Sequence, residues 1–274
     1  MWALHMLEAE RHRIIVKLIQ ERSVVGIGDL VEILDSSEAT VRRDINALAE
    51  QGKIRRIRGG AEALSPRHES HLVGVPFALS RDMGSAQKRA IARTAVELIQ
   101  DGESIIINGG TTTYAMVEFL AKRTLDILTN SIPIVTTLLA SHNRVIVPGG
   151  TLYREQNIVL SPYENDCIDH FWGQKLFLSC YGLNRFGLME ADPLIVQAAG
   201  KLLRRAEEVI VLADSRKMRQ RSSMIVAPLE RISTLITDDG ATEEELELFR
   251  AAGIKVMKAN VAGEDTRAVQ MAGT

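Results

Sequence analysis

Apolar residues recur along this chain with two kinds of spacing, and the change falls near Ser85. Over residues 8–60 the spacing is helical. In "RHRIIVKLIQER" (11–22), Ile14, Ile15, Leu18 and Ile19 share one face, the stripe of a short amphipathic helix. "GDLVEILD" puts Leu30, Val31 and Leu34 on a second short helix, with Asp29 as its expected cap. In "EATVRRDINALAEQG" (38–52), Val41, Ile45 and Leu48 recur at i, i+4 and i+7, so they face a core. Ser37 is the expected cap of this third helix and Gly52 its stop. Residues 62–82 mix Pro, His, Ser and Gly with no clean period and read as a linker.

After Ser85, short apolar runs of strand type alternate with helical patterns. The runs lie at 104–107, 125–129, 144–147, 175–180, 208–213, 233–237 and 254–257; the helical patterns fill 86–100, 113–123, 132–141, 193–206 and 242–252. Such alternation predicts an α/β fold, a mostly parallel sheet covered by helices on both faces. The expected organisation is a small module over 1–61, a linker over 62–82, an α/β domain over 83–260 and a frayed tail over 261–274.

In the small module, the pattern leaves Thr40, Arg42, Arg43 and Asn46 facing solvent near the start of the third helix. Directly after it, "KIRRIRGG" turns Ile54 and Ile57 inward and Lys53, Arg55, Arg56 and Arg58 outward, as a β-ribbon wing ending in Gly59–Gly60 would. From Arg42 to Arg58 there are six basic and two acidic residues, a local balance of +4. The chain as a whole carries −2 with a pI near 6.3, so any nucleic-acid surface is confined to this edge. A solvated helical face would explain the charges alone. Helix spacing, tight turn, exposed Arg, Thr and Asn, and a basic wing together predict a winged helix-turn-helix that reads double-stranded DNA. Ser37, at the helix front, joins that candidate face.

The α/β part presents small polar loops after successive strands. "INGGTTTY" (107–114) delivers Asn108, Gly109 and Gly110 to a strand end and opens a helix with Thr111, Thr112 and Thr113, a pattern suited to an anion. "LTNS" adds Thr129 and Asn130, "VPGGT" adds Gly149 and Gly150, and "LADSRK" adds Asp214 and Lys217. All should open on one rim, where open α/β sheets take their ligands. Lys88, on the preceding helix, can join them. No P-loop or dinucleotide fingerprint is present, which argues against a kinase. The two cysteines, Cys167 and Cys180, form no CxxC pair and no histidine stands at metal spacing, so neither cofactor nor metal is expected and both thiols should be reduced. "MWALHML" is too short for a signal segment and no apolar run approaches the ~20 residues of a membrane span; a cytoplasmic protein without membrane association is expected.

With these residues in view, a resemblance can be stated. "TVRRDINALAEQGKIRRIRGGAEAL" (40–64) resembles the winged helix-turn-helix of the DeoR family of bacterial transcriptional repressors, with Arg58 where the family more often has His. Over 75–257 the chain shows "QKRAIARTA", "NGGTT", "TN", "PGG", "CYGLNRFG", "LADSRK" and "ITDD" in the family's order. The resemblance implies a sensor domain similar to ribose-5-phosphate isomerase that binds phosphorylated sugars. Lys88, Gly110, Thr111, Thr112 and Lys217 would hold phosphate and polar sugar groups, while Asn130 and Asp214 would take hydroxyls. Tyr181 and Asn108 stand where the family carries aspartates. Isomerase chemistry leans on carboxylates near there, and tyrosine is no base near neutral pH. "QNIVLSP" and "LSCYGL" resemble the ascorbate-utilisation branch, which implies a phosphorylated sugar acid or lactone as effector and brings Gln156 and Ser161 toward it. The expectation is a homo-oligomeric repressor, dimer or tetramer, of a carbohydrate operon. The alternative is a sugar-phosphate isomerase with an accessory DNA-binding domain, for which Glu190, Asp192 and Asp214 are the remaining carboxylates; Glu190 and Asp192 read as solvated loop acids.

Overall fold

The computed structural model describes residues 7–22, 24–34, 36–63 and 77–261. The chain divides into two compact units, Met1–His71 and Leu72–Thr274.

In the smaller unit, α1 (Glu8–Arg22), β1 (Val24–Gly26), α2 (Ile27–Leu34), α3 (Glu38–Glu50), β2 (Ile54–Ile57) and β3 (Gly60–Ala63) follow in order. The three helices bury Ile15, Ile19, Leu30, Leu34, Val41, Ile45 and Leu48 in one core, the stripe the spacing predicted. Asp29 is not the cap of α2. It sits inside the first turn, where a carboxylate complements the helix dipole. α3 ends as expected. Gly52 takes the left-handed conformation at φ 65°, with Gly52 N–H donating to Ala49 O and Lys53 N–H to Leu48 O, a Schellman closure that a side-chain-bearing residue would strain. The wing does not stop at Gly59–Gly60. The chain turns there and returns as β3, which pairs antiparallel with both β2 and β1.

The larger unit contains α4 (Phe77–Asp82), α5 (Ser85–Val96), β4 (Ser104–Ile107), α6 (Thr111–Tyr114), α7 (Val117–Leu120), β5 (Asp126–Thr129), α8 (Ile132–Leu138), β6 (Arg144–Ile146), β7 (Thr151–Tyr153), β8 (Ile158–Leu160), β9 (Gly173–Leu178), β10 (Gly182–Asn184), β11 (Gly187–Glu190), α9 (Pro193–Leu203), β12 (Ala206–Leu212), β13 (Met224–Ala227), β14 (Thr234–Asp238), α10 (Glu243–Ala251) and β15 (Lys255–Ala259). Seven strands form one sheet in the order β15-β14-β12-β9-β4-β5-β6, every pair parallel. Successive residues feed opposite faces. Ile106, Leu176, Val211 and Leu235 join the core under α9 and α10, whereas Ile105, Ile107, Phe177, Ile210 and Ile236 join the one under α5.

The chain leaves β4 toward β5 and β6, then returns to β9 on the other side. β4 and β9 are therefore adjacent strands with connections departing in opposite directions, the switch point at which open α/β sheets form a crevice.

Three features depart from the expected elements. The helix expected over 113–123 is two single turns, α6 and α7. Thr113 Oγ1 bonds back to Asn108 O at 2.7 Å and Gly110 O at 3.0 Å, competition with the helix that threonine commonly offers. The expected linker begins inside β3 and ends with α4; its part over 64–76 and the expected tail over 262–274 lie outside the described residues. Finally, a hairpin (β7–β8) and a separate antiparallel sheet (β10-β11-β13) accompany the parallel one.

Candidate functional site

The candidate DNA-reading face comprises α3 and the wing. Ser37 Oγ accepts the Thr40 N–H at 3.2 Å and fixes the helix start. Asp44, only 3 % exposed, anchors the inner side: Arg11 donates to it at 2.8 and 3.2 Å, and His12 Nε2 lies 3.2 Å away. That anchor has no apolar periodicity and was not legible in the stripe. On the outer side, Arg56 Nη1 donates to Asn46 Oδ1 at 3.0 Å, tying wing to helix. Arg42 pairs with Glu38 at 2.6 Å and Arg55 with Glu62 at 3.1 Å. Exposed pairs of this kind contribute little, so both arginines can exchange their carboxylate for a phosphate. Arg43, Lys53 and Arg58 are exposed, and Thr40 lies half-buried beside them. Ile27, Arg42, Asn46, Arg56, Arg58 and Gly60 line one groove between α3 and the wing.

In the larger unit the switch point holds a crevice. Gly109, Gly110 and Thr111 arrive from β4, Ser179, Cys180 and Tyr181 from β9, and Asp214, Arg216 and Lys217 from β12. Lys88 comes from the first turn of α5 and Gln156 from the turn of the β7–β8 hairpin. Of the expected effector residues, the crevice thus gathers Lys88, Gly109, Gly110, Thr111, Gln156, Tyr181, Asp214 and Lys217.

The others stand behind it. Asn130 Oδ1 accepts the Gly109 N–H at 2.8 Å, and Thr129 Oγ1 accepts the Ser131 N–H at 3.1 Å. Both are buried and shape the turn from the neighbouring strand end. Asn108, Thr112 and Thr113 are buried too, whereas Gly149 and Gly150 are exposed, lead into β7 and are absent from the lining. Ser161 donates to Asp166 and is absent from the lining. A Cβ on Gly109 would lie 2.3 Å from Ile158 Cγ2, so this glycine is required by the approach of the hairpin rather than by its dihedrals.

The electrostatics are mixed. Lys88 is 3 % exposed and donates to Ser80 O. Lys217 Nζ sits 5.8 Å over the Tyr181 ring and 3.4 Å from Gln220 Oε1. Arg216 donates to Asp214 at 2.8 and 3.1 Å, and that hydrogen bond raises its pKa further. Asp214 is thus held by a cation. Burial pushes the Cys180 thiol up to about 12, so it stays a neutral thiol.

Glu190 corrects the reading of a solvated loop acid. It ends β11 and lines the crevice. Burial pushes its carboxyl up to about 7, against the pull of Lys217. Asp192 is likewise no solvated acid. It is 4 % exposed, caps α9 by accepting the Leu194 N–H at 2.8 Å, and accepts the Tyr153 hydroxyl. Ser179, Arg216, Gln220, Ser80 and Met83 are crevice residues that the sequence pattern does not single out. "LADSRK" contained a signal for Arg216, which is adjacent to the chosen Lys217. Among the described residues there is no cluster of three or more metal-binding side chains, and no helix is long and apolar enough to cross a membrane.

The sequence comparisons agree with this two-part design. Residues 11–67 match the DeoR-like helix-turn-helix domain and residues 84–239 the DeoR C terminal sensor domain. The HTH-type transcriptional regulator UlaR of Shigella dysenteriae serotype 1 (strain Sd197) is 34 % identical over 256 residues, 92 % of this chain and 100 % of its own length. The regulator of the same name from Escherichia coli O127:H6 matches to the same extent. Among solved structures, ribose 5-phosphate isomerase A from Methanocaldococcus jannaschii is 16 % identical, with 47 % of this chain and 52 % of that chain covered and a TM-score of 0.36. With a matched reading head, a matched sensor fold and regulators aligned along nearly the whole length, the chain belongs to the DeoR family.

Proposed function

We propose that this protein is a repressor of a carbohydrate catabolic operon whose hold on operator DNA is set by a phosphorylated sugar or sugar acid in the switch-point crevice. The carrying observation is the convergence of Lys88, Lys217 and Arg216 on the Gly109–Gly110–Thr111 turn. A phosphate takes charge-assisted hydrogen bonds from such cations and from glycine N–H groups. The sugar end would meet Gln156, Tyr181, Glu190 and Gln220. Asn108, Thr112, Thr113, Thr129 and Asn130 act behind the surface, holding the loops, while Gly149 and Gly150, exposed just before β7, carry the chain into the hairpin that brings Gln156.

On the DNA side, Thr40, Arg42, Arg43 and Asn46 read the major groove, with Ser37 at the helix front. Lys53, Arg55, Arg56 and Arg58 serve the backbone contact of the wing. Operators built of repeated half-sites call for a dimer or tetramer, acting in the cytoplasm. The effector biases operator affinity only as far as it binds the two DNA-competence states unequally.

A thermal-shift screen of phosphorylated sugars and sugar acids tests the sensor. A specific effector raises Tm by mass action, about 2.7 kcal/mol at a hundredfold excess over Kd, and its unphosphorylated counterpart does not. If the two act alike, the phosphate assignment fails. Glu190 supports a second reading, because a carboxyl near 7 is a competent general base. Aldose–ketose turnover of a pentose phosphate that Glu190→Gln abolishes would establish the isomerase instead.

A further inference from the structure

The crevice cations already have partners, and two of those partners are main-chain carbonyls of one element. Lys88 donates to Ser80 O, and Arg216 Nη2 donates to Met83 O at 3.1 Å. Ser80 lies in α4 and Met83 directly after it. These carbonyls belong to the last turn of a short helix, where acceptors lack helical partners and the dipole end is negative. Ser80 Oγ also lies 3.2 Å from Thr111 Oγ1, in the glycine turn, and Ser80 and Met83 both line the crevice. The other end of α4 is held differently. Phe77 N–H donates to Glu155 O at 2.9 Å, and the Phe77 ring, 5 % exposed, meets Tyr114 edge-on at 5.7 Å. Residues 64–76 run from the wing strand β3 to α4, so α4 is the first described element of the larger unit after the DNA-reading module.

We propose that α4 is the element displaced by the effector: an anion entering the crevice competes with the Ser80 and Met83 carbonyls for Lys88 and Arg216, and so releases the segment that joins the DNA-reading module. The proposal rests on the reading of an anionic effector given above. Its physical basis is that a doubly charged phosphate is a stronger acceptor for ammonium and guanidinium than a neutral carbonyl, and Arg216 Nη2 already divides its donors between Asp214 and Met83, so a phosphate meeting that nitrogen takes the donor from Met83. Because coupling is reciprocal, whatever loosens α4 must tighten anion binding by the same factor. A helix that merely walls the pocket behaves oppositely, since loosening a wall weakens binding.

Phe77→Ala separates the two, because Phe77 is absent from the crevice lining and helps hold α4 from its far end. With the full chain and inorganic phosphate as probe, calorimetry should show Phe77→Ala binding about fivefold or more tightly than wild type. Saturating phosphate should speed amide exchange over residues 77–84 of the wild type. Arg216→Gln should show the faster exchange at 82–84 with no phosphate added. Equal or weaker phosphate binding by Phe77→Ala overturns the proposal. So does protection of residues 77–84 by phosphate, or unchanged exchange in Arg216→Gln. If Phe77→Ala does not fold, the wild-type and Arg216→Gln exchange measurements decide alone. Absence of phosphate binding to the wild type sinks the anionic-effector reading and this inference together, whereas binding that leaves α4 exchange unchanged sinks only the inference.

Discussion

Gly109→Ala is the sharpest test of how the crevice is built. The added Cβ would stand 2.3 Å from Ile158 Cγ2 and 3.4 Å from Asn130 Oδ1. An ordinary carbon–carbon contact is about 3.5–4.0 Å, so the turn and the hairpin must separate by roughly 1.2 Å or more. Ile158 is 2 % exposed and bridged to Ser131, and Val159 N–H donates to Asn130 O at 2.8 Å, so the hairpin cannot swing away cheaply. The alternative is for Gly109 to retreat and lose its hydrogen bond to Asn130. Overpacking of this kind costs about 1–3 kcal/mol, and each kcal/mol lowers Tm by about 2–4 °C in a domain of 150–250 residues.

The cause can be isolated by a double-mutant cycle. Ile158→Ala removes the clashing methyl and destabilises by itself, about 2–5 kcal/mol for a large-to-alanine change in a core. In the double variant, Gly109→Ala should be almost free of cost, a favourable coupling of at least about 1 kcal/mol. Denaturant unfolding of the larger unit measures all four proteins. Additivity within about 0.5 kcal/mol would refute the steric account and leave backbone entropy as the role of this glycine.

Three further outcomes are expected. Arg58→Ala should weaken DNA binding across sequences and reduce the slope of log affinity against log salt by about 0.9, whereas Arg43→Ala should cost about 1–3 kcal/mol on the operator and much less on random DNA; anisotropy titrations at several salt concentrations check both, and an unchanged slope removes Arg58 from the interface. Ser37→Ala should destabilise the small unit by about 1 kcal/mol through loss of the α3 cap, read by denaturant unfolding, and a change under about 0.3 kcal/mol would deny the cap. Glu190 titrates near 7 when folded against an ordinary 4.5, so between those values the folded chain keeps a proton that the unfolded chain has released, and stability falls as pH rises through that window. Ionised Glu190 also repels an anionic effector, so wild-type affinity should drop relative to Glu190→Gln as pH passes 7; parallel profiles would discard this role.

Much of the sheet could be read from the sequence because parallel strands buried on both faces need continuous apolar runs, as in "SIII" and "EVIVLA". The glycine and threonine turns were visible for a related reason: they sit where those runs stop. What escaped were elements whose stability is tertiary. β10, β11 and β13 are three or four residues long, too short to show a period of two. The β7–β8 hairpin is carried by main-chain bonds to Asn130 and Ile132, which leave no trace in side-chain pattern. α4 falls in the stretch that reads as linker because its helix is only six residues long, below what propensity alone supports.

This division has a consequence for what the crevice recognises. Its legible wall, formed by the ends of β4, β9 and β12 with the start of α5, supplies the Gly110 turn, Lys88 and Lys217, the kind of groups a phosphate needs. Its illegible wall supplies Gln156 and Ile158 from the hairpin, Glu190 from the antiparallel sheet and Ser80 and Met83 from the α4 segment. Of the residues proposed to meet the sugar end, that second wall supplies Gln156 and Glu190, and it alone contains a carboxyl whose charge is undecided near neutral pH. On the proposed function, discrimination among phosphorylated sugars and acids therefore draws on residues held by tertiary contacts. Substitutions there should change which effector is heard without moving the fold, whereas substitutions in the glycine turn should remove hearing altogether.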